Sequence, residues 1–498
     1  MIDEIKNPFA DALKENAKWK TTENGCAALN TTSSSVLDLF ANIGALRSSN
    51  TNGGYFDKTR LEKMFVAAYI EDTFYTTRIL FYARDIRSGL GERDIPRYLF
   101  RYMAIHYPDK LKANVQHIPE YGRFDDWYEL VDTPLENTMW ECMSIQFESD
   151  LENMHANKPI SLLAKWIKSP DTSSKISRKL GCLTADKLGY SVYNFKRIIK
   201  SMRKHIGIVE SKMSNNHWSD IEYSHVPSNA MKIYGKHAFP NHDGYRFESY
   251  LEDVKSGKDK INSSTLYPYD ICESLFKGGN VRVAEEQWKA LPDWVNGQYS
   301  AIVMADTSGS MYGRPLDTAI SLALYFAERN EGAFHNMFMT FDAKPRCVII
   351  KGNTLFEKLK MIKNTEWGGN TDLYAAFVEI LRVARVNKID QKWMPKSLIV
   401  ISDMEIDACT RNANEIRTTF TNIVKELYAK YGYIAPNLVF WTVASRQTTM
   451  HADKNSVGVQ LVSGQSASTF DSVVKNSGKT PMEMMYNVLD NERYSIIT

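Results

Sequence analysis

Three short stretches in the C-terminal part of the chain concentrate oxygen donors, with no histidine or cysteine within them. D-T-S-G-S carries Asp306, Ser308 and Ser310, W-G-G-N-T-D carries Thr371 and Asp372, and S-D-M-E carries Asp403 and Glu405. Carboxylates and hydroxyls are hard ligands, and such a set suits Mg2+ or Mn2+ that keeps several of its waters. Two serines two positions apart on a turn can point the same way. The structural alternative is that Asp306 caps a helix while Ser308 and Ser310 make turn hydrogen bonds. Three such loops in chain order favour the cation.

A second candidate chemistry is phosphate binding. Between residues 151 and 250 there are sixteen Lys and Arg against eight Asp and Glu, in a chain whose formal charge is only +2. The densest run, Y-N-F-K-R-I-I-K-S-M-R-K-H-I-G at 193–207, holds Lys196, Arg197, Lys200, Arg203 and Lys204. At helical spacing Lys196, Lys200, Arg203 and Lys204 share one side, which is what phosphate tracking requires. A solvated helix face is the competing explanation. Trp127, Trp166 and Trp218 offer base-stacking surface, although a tryptophan among packed helices is more often core. Arg84, Arg87, Arg93 and Arg97, mixed with Asp85, Glu92 and Asp94, read as an ion-pair network between helices. The segment Tyr121–Trp127, with Arg123, Asp125 and Asp126, reads as a capping loop.

Enzymatic motifs do not emerge. S-G-K-T at 477–480 has Val473 where a phosphate loop needs glycine, and Pro481 follows it. HExxH and GxSxG are absent, and His205, His217, His225, His237 and His242 match no zinc spacing. No nucleophile is accompanied by a base, so no catalytic residue is assigned and a non-enzymatic role is expected.

The elements that must position these residues change near residue 295. From Lys58 to Ala290 apolar residues recur at helical spacing, in segments such as 61–87, 94–107, 135–154, 160–168, 187–213 and 245–255. The first reads as one amphipathic helix or two meeting near Thr73. After Pro292, strands at 299–306, 336–342, 396–404, 437–445 and 457–462 alternate with helices at 316–330, 371–386 and 414–432. That alternation predicts a mostly parallel, doubly wound α/β sheet covered on both faces. The expected organisation is an N-terminal arm (1–57), an α region (58–290) that follows no strict repeat period and reads as an irregular stack of antiparallel helix pairs, of helical-repeat, HEAT-like class, and an α/β domain (296–498). In such sheets ligands bind outside the carboxyl ends of the strands, where the three oxygen-rich loops fall.

The composition is that of a globular protein of two or three domains: 498 residues, 43% hydrophobic, 61 Lys and Arg against 59 Asp and Glu. Cys26, Cys142, Cys182, Cys272, Cys347 and Cys409 are scattered, and they read as mostly buried, reduced thiols. With no signal-peptide pattern and no long apolar run, a soluble cytoplasmic protein is expected, with no membrane association.

D-T-S-G-S, then G-G-N-T-D, then an apolar strand ending in Asp403 resembles the metal-ion-dependent adhesion site of von Willebrand factor A domains. The resemblance implies a Rossmann-type sheet and a Mg2+ (or Mn2+) held by Asp306, Ser308, Ser310, Thr371 and Asp403. It leaves Asp372 and Glu405 in supporting roles. A site of that kind binds an acidic group of a protein partner rather than catalysing. A helical region followed by such a domain is similar to the Ro-type ribonucleoproteins, whose TROVE module is a ring of helical repeats. R-D-I-R-S-G-L-G-E-R-D (84–94), I-P-E-Y-G-R-F-D-D-W-Y-E-L (118–130) and S-L-L-A-K-W-I-K-S-P (161–170) look like stretches of uncharacterised Ro-like proteins of bacteria and their viruses. This second likeness covers roughly 55–498 and is less specific. It implies an RNA-binding scaffold for a small structured or single-stranded RNA. The alternative is a structural or assembly protein that makes protein contacts alone.

Overall fold

The computed structural model describes residues 18–46, 56–295, 297, 299–341, 344–365, 372–406 and 420–498. They fall into two compact units. The sheet unit comprises the described residues up to Ile79, Tyr267–Lys277 and Pro292–Glu492; the helical unit comprises Leu80–Leu266, Gly278–Leu291 and Arg493–Thr498. The boundaries expected at 57/58 and 290/296 therefore shift. Cys26, Leu29 and Ala41 are buried in the core of the sheet unit, so the described part of 1–57 is not a separate arm. The last six residues join the helical unit because Arg493 and Tyr494 bind Asp85, at 2.7 and 3.0 Å.

In the sheet unit, β1 (Trp19–Thr21) and β2 (Ala27–Leu29) form an antiparallel hairpin. The main sheet contains β3 (Ala301–Ala305), β4 (Met337–Thr340), β5 (Cys347–Ile349), β6 (Ser397–Ser402), β7 (Asn437–Thr442) and β8 (Val459–Ser463). Its spatial order is β5-β4-β3-β6-β7-β8, parallel throughout except for β5, which runs antiparallel at the edge. The chain thus starts in the middle with β3, builds outward on one side, and returns to place β6 on the other. The order reverses between β3 and β6, and in open α/β sheets the carboxyl ends of the strands at such a switch point are where ligands bind.

Every residue of β3 and β6 is buried, the continuous burial of strands covered on both faces. On one face Ile302, Met304, Leu398, Val400, Leu438 and Phe440 pack with helices Leu373–Val386 and Phe420–Ala429. On the other, the Trp441 ring lies 4.6 Å from Phe470, which also meets Tyr325 and Phe326 of helix Arg314–Arg329. The antiparallel strand β5 and the β1–β2 hairpin have no counterpart in the sequence reading. Each strand is three residues long, too short to display a period.

The helical unit is built from helices of unequal length, including Glu136–His155, Lys175–Lys187, Val192–Ile206 and Ala238–Lys255. The segment 61–87 is two helices, Lys58–Glu71 and Thr73–Arg84, broken at Asp72, whose extended backbone and carboxylate cap the second. The helix expected over 160–168 shrinks to Leu163–Trp166, and 187–213 is interrupted after Ile206. Among the described residues no helix is long and apolar enough to cross a membrane. The described cysteines are free thiols; Cys26 and Cys272 are buried, whereas Cys182 and Cys347 are exposed, against the expectation of burial.

The arginine cluster near residue 90 is an ion-pair network, with partners in the 118–130 segment. Asp126, fully buried, accepts from Arg84 Nε at 2.7 Å and Arg97 Nε at 2.5 Å. Burial alone would raise the neighbouring Asp125, but hydrogen bonds and charge from Arg123 and Arg97 outweigh it and hold the carboxyl at about 2. Gly122 makes room for this cluster: a Cβ there would lie 2.1 Å from Asp126 Oδ2 and 2.7 Å from Arg84 Nε. Gly122→Ala is expected to lower the stability of the helical unit by more than about 3 kcal/mol, because it separates buried charges from their partners. Calorimetry of the variant would show an earlier transition; an unchanged profile would deny the network a structural role.

Candidate metal centre and basic helix face

Asp306 directly follows β3, and its amide extends the ladder by donating to Ile401 O at 2.9 Å. Asp403 directly follows β6 on the adjacent strand. The switch point therefore brings together two carboxylates that are 97 residues apart in the chain, Asp306 being fully buried and Asp403 only 4% exposed. Asp306 Oδ1 accepts the Ser308 amide at 2.8 Å, and its Oδ2 accepts the Ser402 hydroxyl at 2.6 Å. Ser308 and Ser310 lie hydroxyl to hydroxyl at 2.9 Å. Buried Met311 anchors this loop beneath the serines, and Gly313, at φ 92°, makes the left-handed turn into helix Arg314–Arg329.

The loop after β6 is strained and braced. Met404 holds φ 68°, a left-handed conformation that costs an ordinary side chain about 1–3 kcal/mol. Its amide donates to Ser402 Oγ at 3.0 Å, and its carbonyl meets His451 Nε2 at 2.9 Å. Burial pushes His451 down to about 4, so the ring is neutral at pH 7. The tip of the β1–β2 hairpin supplies the outer brace. Thr22 donates to Ile406 O at 2.6 Å, the Glu23 amide to Glu405 Oε2 at 2.7 Å, and Asn24 Nδ2 to Glu405 O at 2.7 Å. Glu405 is raised by burial, with the charges of Glu23 and Asp403 adding to the shift and the Glu23 amide opposing it.

Of the five residues expected to ligate, Asp306, Ser308, Ser310 and Asp403 come together at the carboxyl ends of β3 and β6, while Thr371 lies outside the described residues. Asp372 caps helix Leu373–Val386 by accepting the Ala375 amide at 2.9 Å. Among the described residues no group of three or more His, Cys, Asp or Glu is placed to hold a metal. A cation here would rest on two carboxylates and serine hydroxyls. That donor set fits a hard, water-rich ion and fits no soft one. Burial, reinforced by the charge of Asp403, pushes Asp306 up to about 6, as expected where two carboxylates share one site. Two participants escaped the sequence reading. Ser402 carried a signal, since it precedes Asp403 at the strand end; Arg446, which reaches Asp403 Oδ2 at 3.1 Å from the loop after β7, carried none.

In the helical unit, helix Val192–Ile206 turns Phe195, Ile199 and Met202 inward and leaves Lys196, Arg197, Lys200 and Lys204 exposed. Arg203 does not belong to that outer face. Half-buried, it donates to Ala164 O at 2.8 Å and Ile167 O at 3.1 Å and ties the helix to the preceding segment. Lys196 also approaches Asp171 at 3.3 Å. The adjoining helix Lys175–Lys187 adds exposed Lys175, Arg178, Lys179 and Lys187. Over 158–213 thirteen Lys and Arg face three Asp and Glu, a denser excess than the single helix suggested. The tryptophans are otherwise engaged. Trp127 is buried with its Nε1 on Val115 O, Trp166 lies under Arg123 at 3.9 Å, and Trp218 stacks on His242 at 4.4 Å. Among the described residues the five histidines assemble no zinc site.

Residues 300–493 match the family model of a domain of unknown function, DUF7788, and residues 22–139 and 184–305 match that of another domain of unknown function, DUF2828. The chain is similar to Uncharacterized protein L728 of Acanthamoeba polyphaga mimivirus, with 27% identity over 521 residues, covering 95% of this chain and 88% of the relative. The first DUF2828 segment begins at the β1–β2 hairpin and runs on into the helical unit, as the chain itself does.

Asp306→Asn should stabilise the metal-free protein. An aspartate raised from 3.8 to about 6 in the folded state costs stability once it ionises, fully above about pH 6 and not at all below about pH 4. Removing that charge should therefore add about 2–3 kcal/mol at pH 7.5 in the presence of a chelator, and the gain should fade as the pH falls toward 4. Urea unfolding at several pH values reads this directly; a variant less stable than wild type at pH 7.5 would refute the burden assigned to Asp306.

Proposed function

We propose that this chain is a non-enzymatic, Ro-like RNA-binding scaffold whose sheet unit carries a magnesium-dependent adhesion site for a protein partner. The observation that carries the reading is the meeting of Asp306, Ser308, Ser310 and Asp403 at the switch point of a doubly wound sheet. Strand order 5-4-3-6-7-8 with an antiparallel edge is consistent with a von Willebrand A-like topology. On this reading Asp306, Ser308, Ser310 and Asp403, with Thr371, hold Mg2+ or Mn2+. The ion supplies an electrophilic centre with exchangeable waters, to which an acidic side chain of a partner binds. The protein positions the hydroxyls and excludes bulk water from the two carboxylates.

The helical unit supports the RNA half through the exposed cations on helices Lys175–Lys187 and Val192–Ile206. Phosphate neutralisation along such a face gives affinity that falls steeply with salt. A HEAT-like or TROVE-like repeat is the finer assignment that accompanies this reading. The assembly-protein alternative predicts the same solubility of the basic face but no nucleic-acid affinity.

Filter binding of single-stranded and structured RNA at 50–300 mM salt tests the first half. Replacing Lys196, Arg197, Lys200 and Lys204 together with alanine should weaken binding about 10- to 100-fold and flatten the salt dependence by close to four contacts. Arg203→Ala should instead lower stability, because Arg203 serves backbone carbonyls. Salt-independent or absent binding would leave the assembly alternative. For the second half, Asp306→Ala should abolish Mg2+ binding in calorimetric titration, and wild-type affinity in that variant would refute the ligand set.

A further inference from the structure

At the mouth of the candidate metal centre stands a fixed positive charge. Arg446 places Nη2 3.1 Å from Asp403 Oδ2 and Nη1 3.5 Å from Glu23 Oε2 at the tip of the β1–β2 hairpin. The Asp403 side chain is 1% exposed, whereas that of Arg446 is 43% exposed. The guanidinium thus reaches inward from the rim to a carboxylate that water does not. Its backbone is not loose. The Ser445 amide donates to Ala45 O at 2.9 Å, and Arg60 holds Ser445 through its carbonyl at 2.9 Å and its hydroxyl at 2.7 Å, and Thr448 at 3.2 Å. The loop after β7 is therefore pinned on both sides of Arg446, whose side chain spans Asp403 and Glu23.

We infer that Arg446 is a built-in counter-ion of Asp403 and competes with a divalent cation for that carboxylate. The inference rests on the adhesion-site reading above. Asp306 and Asp403 leave two negative charges largely out of water, and the guanidinium is the cation in contact with Asp403 among the described residues. A divalent cation held by Asp306, Asp403 and the serine hydroxyls would supply that compensation itself and would repel the guanidinium. Arg446 then gives up Asp403 and retains Glu23, which is 43% exposed and already within its reach. Metal affinity is set below what the oxygen donors alone would give, and occupancy of the centre is relayed to the hairpin tip.

Mn2+ titration of the full chain, followed by electron paramagnetic resonance of the free ion, tests this. Arg446→Gln should bind Mn2+ about tenfold more tightly than wild type, since the competing charge is gone. Arg446→Lys, which keeps the charge, should stay within about threefold of wild type. In chelator the Arg446→Gln thermal midpoint should fall by about 2–4 °C, because Asp403 loses its partner, and Mn2+ should raise that midpoint more than it raises wild type. Should wild type and Arg446→Gln both fail to bind Mn2+, the adhesion reading fails and the inference with it. Should wild type bind, Asp306→Asn not bind, and Arg446→Gln bind no more tightly than wild type, the reading stands and the competition is refuted.

Discussion

Two carboxylates side by side in a protein interior are unfavourable unless every oxygen finds a donor or a cation. In this chain Asp306 and Asp403 are placed together by the pairing of β3 with β6, and much of the sheet unit can be read as the consequence. Ser402, one residue before Asp403, turns its hydroxyl to Asp306 rather than to its own strand neighbour. The Ser308 amide satisfies Asp306, the Glu405 amide satisfies Asp403, and Arg446 supplies the positive charge. The strained Met404 between them persists because Ser402, His451 and the hairpin tip all hold the same turn. Strain surrounded by this many fixed partners is usual where a backbone must present groups outward at a set angle.

The helical unit solves a comparable problem differently. Asp126 and Arg84 are buried as fully as Asp306, yet they have each other, with Arg97 and Arg123 completing the set around Asp125. In that network three guanidinium groups are turned on two carboxylates, so each buried acid has a cation in direct contact. The outer cations of helices Lys175–Lys187 and Val192–Ile206 are the reverse, with few acids nearby and water on most sides. Buried pairs specify how the helices meet, whereas exposed excess charge is available to a polyanion. Arg203 marks the difference within one helix, since it sits a single residue from exposed Lys204 yet spends its donors on backbone carbonyls.

The hairpin β1–β2 and the last six residues illustrate how the two units share one chain. The hairpin lies nearly four hundred residues before Glu405 and Ile406 but bonds to both, and Arg493 and Tyr494 close on Asp85 across a similar separation. Contacts of that range carry no local sequence signal. They explain why domain boundaries drawn from composition alone missed both termini.

The pattern of short apolar runs and long amphipathic segments was enough, by itself, to establish the parallel α/β sheet, the helices that cover it and the helical character of 58–290. Backbone periodicity and burial are local properties that residue type reports directly. D-T-S-G-S likewise announced its own turn, because Asp306, Ser308 and Ser310 are neighbours in sequence. The approach of Asp403 to Asp306 needed the strand order as well, which periodicity suggests and only the ladder decides. Tertiary structure alone determined that Ser402 serves Asp306, that Arg203 faces inward, that Asp125 and Asp126 are the partners of the arginine cluster, and that Arg446 stands over Asp403. In each case the deciding quantity is a distance between groups far apart in the chain, or the direction of one side chain on a helix. Neither is encoded in any window of sequence short enough to read by eye.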